Sequence, residues 1–408
     1  MQNQEFNSRF YTNRGMPLYP DRAMIPRLLQ FELQAQLGEF PIVTILGPRQ
    51  AGKTTLARMT LSDFEYVSLE DPDTLAFARD DPRAFLARRR RHVVFDEIQR
   101  APHLLSYLQG IVDEAGEVGQ FVLTGSHQLE LREAITQSLA GRTSLLHLLP
   151  LSLPELAGAG LGHERFEDVL RYGFLPRVFD QEQRPRIAYA SYYQTYVERD
   201  VRQLIQLKDA TLFDKFIRLL AGRVGQLVNF TSLGGDVGVD SKTTQRWLSI
   251  LEASFVVFRL PPHHDNFGKR LTKSSKVYFT DTGLLCHLLG LEEADQVARD
   301  PLVGNLFENL VVLEALKARY NAARTPGLSF FRDARGNELD LLVEHGRELT
   351  GIEIKSAATF HTSFKKGLTW FDQNVTPLAK RAIVYNGDRR SFSDGVEAMG
   401  ASDVAGWM

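Results

Sequence analysis

Pro41-Ile42-Val43-Thr44-Ile45-Leu46-Gly47-Pro48-Arg49-Gln50-Ala51-Gly52-Lys53-Thr54 is the stretch that decides how this chain reads. An apolar, β-branched run ends at Gly47, and Gly52-Lys53-Thr54 closes a G-x-x-x-x-G-K-[ST] pattern. Thr55-Leu56-Ala57-Arg58-Met59 then starts a helix. A buried strand, a glycine loop and a helix in that order form a phosphate cradle. Glycines let successive backbone N–H groups turn inward around phosphate oxygens, the lysine reaches the β- and γ-phosphates, and the hydroxyl takes a place on Mg²⁺. The expected nucleotide contacts are therefore Gly47, Gln50, Ala51, Gly52, Lys53, Thr54 and Thr55.

Downstream, Val93-Val94-Phe95-Asp96-Glu97 runs apolar residues into an acidic pair. An aspartate at a strand's carboxyl end can serve the Mg²⁺ shell, and a neighbouring glutamate can polarise the attacking water. Another apolar strand, Phe121-Val122-Leu123, ends in Thr124-Gly125-Ser126, where a parallel sheet points small polar groups at the γ-phosphate. Ser126 or Thr124 is thus a candidate phosphate sensor, or else simply a strand-end turn. Arg142, just before the strand Leu145–Leu149, is a candidate cationic finger for a neighbouring subunit's nucleotide.

The segments GPRQAGKTTLA, VVFDEIQRAP, FVLTGSHQLEL and SLAGRTSLLHLLPLSLPEL together resemble bacterial and archaeal AAA-type ATPases. In those proteins the C-terminal half is a domain of unknown function with a nuclease-like core. The resemblance extends over nearly the whole chain and implies a P-loop ATPase using ATP and Mg²⁺. Within it, Lys53 and Thr54 match the phosphate and Mg²⁺ ligands, and Asp96 and Glu97 match the second nucleotide motif.

Beyond the breaks at Pro150-Leu151-Ser152-Leu153-Pro154 and Ala157-Gly158-Ala159-Gly160, helices dominate, including a long one over Pro185–Leu207. Glu198, Arg199, Asp200 and Arg202 occupy its charged side, which suits nucleotide or subunit contact but equally a solvated face. Helices at Phe216–Leu227, at Thr231–Val237 capped by Thr231, and at Ser241–Ala253 then give helix-turn-helix grammar. Trp247, Leu248 and Leu251 face inward, while Lys242, Thr243, Gln245, Arg246 and Ser249 lie mostly outward. Strands Phe255–Leu260 and Lys276–Thr280 enclose a loop carrying His263, His264, Lys269, Arg270, Lys273 and Lys276, which reads as a basic wing suited to DNA. A structural lid is the competing reading of the same unit.

In the C-terminal part, the helix Asn305–Tyr320 turns Glu308 partly inward. In Glu338-Leu339-Asp340-Leu341, strand alternation sets Asp340 opposite Leu339 and Leu341. In Gly351-Ile352-Glu353-Ile354-Lys355, Glu353 and Lys355 share one face. This set resembles the restriction-endonuclease-like core. The resemblance implies that Asp340, Glu353 and Glu308 hold Mg²⁺ and that Lys355 is the catalytic lysine. Leu339 departs from it, standing where many such nucleases carry proline.

The fold class is α/β. It comprises a P-loop parallel-sheet ATPase domain over 1–150, a helical lid or linker over 151–213, a winged helix over 214–290 and an α/β restriction-endonuclease-like domain over 291–408. A composition 43% apolar and 24% charged is that of a globular protein. The net charge of −2 requires any nucleic-acid surface to be local. One cysteine, Cys286, excludes an intramolecular disulfide and a Cys-based zinc site, in keeping with a reducing cytosol. No apolar run reaches the ~20 residues of a membrane span, and no signal-peptide core opens the chain, so a cytoplasmic location is expected. The leading expectation is an ATPase acting on DNA, with homo-oligomerisation open. The alternative is a nucleotide-controlled switch whose C-terminal sheet binds a protein partner.

Overall fold

The alternation of buried side chains along Ile42–Leu46 (β1) sets the first layer. Ile42 and Leu46 enter one apolar core, and Val43 and Ile45 the opposite one. A strand buried on both faces belongs in the middle of a parallel sheet covered by helices. Accordingly β1 lies between β4 (Phe121–Gly125) and β5 (Thr143–His147), in a five-stranded parallel sheet of order β2-β3-β4-β1-β5. Here β2 is Glu65–Ser68 and β3 is Val93–Asp96. Because all five run the same way, Leu46, Asp96 and Gly125 finish on one edge, and the loops that follow them share it. This computed structural model describes residues 24–126, 135, 137–201, 210–263 and 274–408.

Several boundaries differ from the sequence expectation. The first helix is Gln30–Leu37, and β5 starts two residues earlier than expected. The long helix is α-helical over Pro185–Tyr192 and continues as a π-helix over Tyr193–Val201, with Arg202 and the side chains of Glu198, Arg199 and Asp200 outside the described residues. The next helix is Ala210–Ala221, ahead of the expected Phe216–Leu227. In the following helix, Phe230–Val237, the cap is Asn229 and not Thr231: its side chain accepts the Ser232 N–H at 3.0 Å. Two residues of register separate two good capping types here, and composition alone does not choose between them.

Asp240 caps the helix Ser241–Ala253. Trp247, Leu248 and Leu251 are buried, and Lys242, Gln245, Arg246 and Ser249 are exposed. Strands β6 (Val257–Leu260) and β7 (Lys276–Phe279) form an antiparallel pair. Of the expected basic loop, His264, Lys269, Arg270 and Lys273 lie outside the described residues. Lys276 is not a wing residue. It is buried in β7, within ion-pair distance of two glutamates.

The C-terminal sheet has six strands in the order β12-β13-β11-β10-β9-β8. Glu338–His345 (β9) pairs antiparallel with both Leu328–Arg332 (β8) and Glu348–Lys355 (β10). Lys380–Tyr385 (β11) and Val396–Met399 (β13) extend the sheet parallel to β10, with Arg390–Ser391 (β12) at the edge. The helix Val303–Asn321 covers one face, and Lys366–Asn374 the other. Ile352 and Ile354 face the long helix, whereas Glu353 and Lys355 face away. A bridge between Pro262 and Phe330 ties the hairpin to this sheet. Among the described residues no helix is long and apolar enough to cross a membrane.

Candidate nucleotide site and the C-terminal lysine cluster

The loop after β1 fits backbone, not side chains. A Cβ on Gly47 would stand 2.0 Å from the Leu148 carbonyl oxygen, and Gly52 has a φ of +91°. Both positions therefore require glycine. Lys53 opens the helix Lys53–Thr60, and its buried ammonium donates to the carbonyls of Gly47 at 2.9 Å and Pro48 at 2.8 Å. A third bond reaches Ser126 Oγ at 3.2 Å, so the strand-end serine meets the loop lysine. Burial pushes this ammonium below the ordinary lysine value, against the opposing pull of Glu97 and then Asp96.

The acidic pair is brought to the same place. Thr54 Oγ1 donates to the Asp96 carboxylate at 3.0 and 3.2 Å, Tyr66 donates its phenol at 2.5 Å, and Thr124 adds a further hydroxyl. Tyr66 was not foreseen. Its proton is held more tightly than usual, by burial first and the Asp96 charge next, and Arg58 stacks 3.8 Å from its ring centroid. Glu97 sits at φ +59°, a left-handed backbone costly for a non-glycine residue. Its side chain accepts from Ser126 Oγ at 2.8 Å and from the Gln99 amide. Oxygen-only donors at Thr54 and Asp96, beside a lysine cradle, fit Mg²⁺ bound with a polyphosphate. Thr54 and Asp96 would hold the ion, which would supply positive charge against the phosphates.

Arg142 lies elsewhere. It precedes β5 and so stands at the amino edge of the sheet, opposite the loop, in a two-pronged ion pair with Asp113 at 2.5 and 2.9 Å. It takes no part in the site within this chain.

A second polar cluster lies in the C-terminal half. Lys355 Nζ stands 3.2 Å from Asp340 Oδ2 and 2.7 Å from Glu353 Oε1, and Asp340 also accepts the Ile354 N–H at 2.8 Å. Burial, then the Asp340 charge, pushes the Glu353 carboxyl up to about 8 against the pull of Lys355. Glu308 is engaged differently. It accepts from Lys276 at 2.8 Å and from Tyr278 at 2.6 Å, while Lys276 also meets Glu338 at 2.7 Å. Lys276, Glu308, Glu338 and Asp340 border a cleft of about 480 Å³ shared with Gly225–Leu227. Among the described residues no three His, Cys, Asp or Glu side chains converge to hold a metal. The expected ligands each already hold a lysine: Lys276 at Glu308, and Lys355 at Asp340 and Glu353.

With a parallel five-stranded sheet, a glycine loop at its carboxyl edge and Asp96 beside Thr54, the first part of the chain has a P-loop ATPase-like fold. The family model described as "AAA domain" matches residues 39–157. Two models described as domains of unknown function, DUF8612 and DUF4143, match residues 163–295 and 303–403.

The "Uncharacterized protein Rv2008c" of Mycobacterium tuberculosis is 33% identical over 374 residues, covering 91% of this chain and 82% of that protein. The chain belongs to the family of that mycobacterial protein. A protein of Haemophilus influenzae is 27% identical over 214 residues, covering 49% of this chain and 52% of that one. Among solved structures, the Walker-type ATPase PABY2304 of Pyrococcus abyssi aligns with a TM-score of 0.45 at 13% identity, over 66% of this chain and 97% of that one.

Proposed function

We propose that this protein binds ATP with Mg²⁺ at Gly47–Thr54 and hydrolyses it, and that its C-terminal half works on DNA. The observation that carries the first part is the network joining Lys53, Ser126 and Glu97 with Thr54, Thr124 and Asp96. Among the described residues Lys53 bonds to two carbonyls and a hydroxyl, neutral acceptors that leave its charge available to a phosphate. Glu97 is the group to orient and deprotonate the attacking water. Lys53→Ala should abolish phosphate release from ATP; undiminished turnover would sink the site.

For DNA the support is the exposed polar face of Ser241–Ala253, read as the recognition helix of a winged helix, together with the Asp340, Glu353 and Lys355 set of a restriction-endonuclease-like core. Binding is favoured over cleavage, since Lys276 and Lys355 already neutralise the carboxylates a metal would need. Mg²⁺-dependent cutting that disappears in Lys355→Ala would restore the nuclease reading. Phosphate contacts weaken steeply with salt, so DNA should bind at ~50 mM salt and release as salt rises. Absence of binding at low salt favours the second reading, a nucleotide-controlled switch that engages a protein partner. A direct buried connection between the two halves supports that reading.

A further inference from the structure

We infer that the phosphate loop is positioned from the C-terminal half through one buried polar strut. The inference rests on the nucleotide-site reading above and adds how that site is controlled. Arg27, only 5% exposed, spreads its guanidinium over three acceptors: the Ala51 carbonyl at 2.5 Å, the Leu149 carbonyl at 2.7 Å and Glu155 Oε1 at 3.0 Å. The first of these is the loop itself. Glu155 in turn accepts from the backbone N–H of Leu28 and of Ser152, each at 2.8 Å. Burial pushes the Glu155 carboxyl up, but the Arg27 charge and these N–H groups outweigh it and hold it ionised.

The segment so gripped, Leu149 to Glu155, is held from its other side by the helix Val303–Asn321. Leu153 N donates to Glu314 Oε2 at 2.8 Å, and Lys317 Nζ donates to the Leu151 carbonyl at 2.6 Å and to Glu314 Oε1 at 2.8 Å. Lys317 also sits 3.2 Å from the Phe174 ring centroid. The same helix carries Glu308 into the C-terminal cleft.

Four buried charges are a poor way to gain stability, because apolar residues of equal volume usually do as well. A fully satisfied buried network does something apolar packing does not: it fixes one register. Here the register is that of Ala51 and Gly52 relative to the long helix. Arg27 acts through the Ala51 carbonyl and is a positioning residue. A shift of Val303–Asn321 on occupation of the C-terminal half would move Leu151 and Leu153, and with them the loop.

The test is a double-mutant cycle read by binding of a fluorescent ATP analogue to the full chain. Its corners are the wild type, Arg27→Lys, the charge-removing pair Glu314→Gln with Lys317→Met, and all three together. Each is expected to weaken binding, and the triple variant to lose about fivefold less than the product of the separate losses. Turnover at saturating ATP should change little. A control, Leu310→Ala, opens a cavity in the same helix without touching the strut and should leave ATP affinity unchanged.

Losses that multiply independently overturn the inference. So does a Glu314/Lys317 variant that binds ATP like the wild type, or a control that weakens binding equally. A wild type that binds no ATP removes the nucleotide-site reading and the strut with it.

Discussion

Lys53 opens the helix that follows β1 and Lys355 ends β10, each with two carboxylates nearby, yet their surroundings are opposite in charge. Lys53 is met by two carbonyls and a hydroxyl, while Asp96 and Glu97 are occupied by Thr54, Tyr66, Thr124, Ser126 and Gln99. Lys355 is met directly by Asp340 and Glu353. In the first site the cation and the anions are kept apart by neutral hydroxyls, so a phosphate and a metal can each find an unspent charge. In the second, Lys355 already holds carboxyl partners, and a ligand must displace them to enter. Two acids and a lysine on neighbouring elements do not by themselves define a reactive centre; the connectivity among them does.

Substitutions can sharpen or break this contrast. The largest effect is expected from Glu97→Gln, which keeps the shape of the side chain but removes the carboxylate proposed above as the base. Hydrolysis should fall by about 10²–10⁴-fold while ATP binding is retained. Loss of binding as severe as loss of turnover would mean that Glu97 holds the loop rather than the water.

Next comes Lys276→Met, which leaves Glu308 and Glu338 facing each other without their shared cation. Breaking a buried pair from one side costs about 3 kcal/mol or more, measurable by urea denaturation. An unchanged midpoint would show that this cation adds no stability and that the contrast is overstated.

A smaller effect concerns pH. Glu353 is held up to about 8 against an ordinary 4.5, so the folded chain binds more protons than the unfolded one across that interval. Its contribution to stability is therefore complete below pH 4.5 and is lost as pH rises through about 8. Glu353→Gln should flatten the pH dependence of the thermal midpoint over this window. Coincident wild-type and Glu353→Gln profiles would place the titration elsewhere.

The smallest expected effect is Arg142→Ala, which removes an exposed ion pair with Asp113 and should leave the melting temperature unchanged. If ATP turnover nevertheless falls, and does so only at protein concentrations where copies associate, the arginine serves a neighbouring subunit's site.

Legibility followed sequence distance. The loop Gly47–Thr54, the acidic pair Asp96-Glu97 and the alternation in Ile352–Lys355 were readable because each is a contiguous pattern whose spacing fixes its geometry. Tyr66 carried no motif, and only the pairing of β2 with β3, which sets Ser68 beside Asp96, brings its hydroxyl to that carboxylate. Lys276 read as one of a basic run because its neighbours in sequence are basic. Its neighbours in space are Glu308 and Glu338, from elements far along the chain. Glu308 faced inward as its helical phase required, but phase cannot say which cation waits there.

What the sequence determined by itself is the phosphate loop and the α/β character of the sheets, since glycine geometry, strand alternation and helix capping act over a few residues. Partner choice was decided only by the tertiary structure. It gave Glu308 the Lys276 cation, sent Arg142 to the far edge of the sheet, and joined Arg27, which carries no motif, to the Ala51 carbonyl. The physical reason is that a buried charge takes whichever counter-charge packing delivers to it, and packing is settled by the whole chain at once.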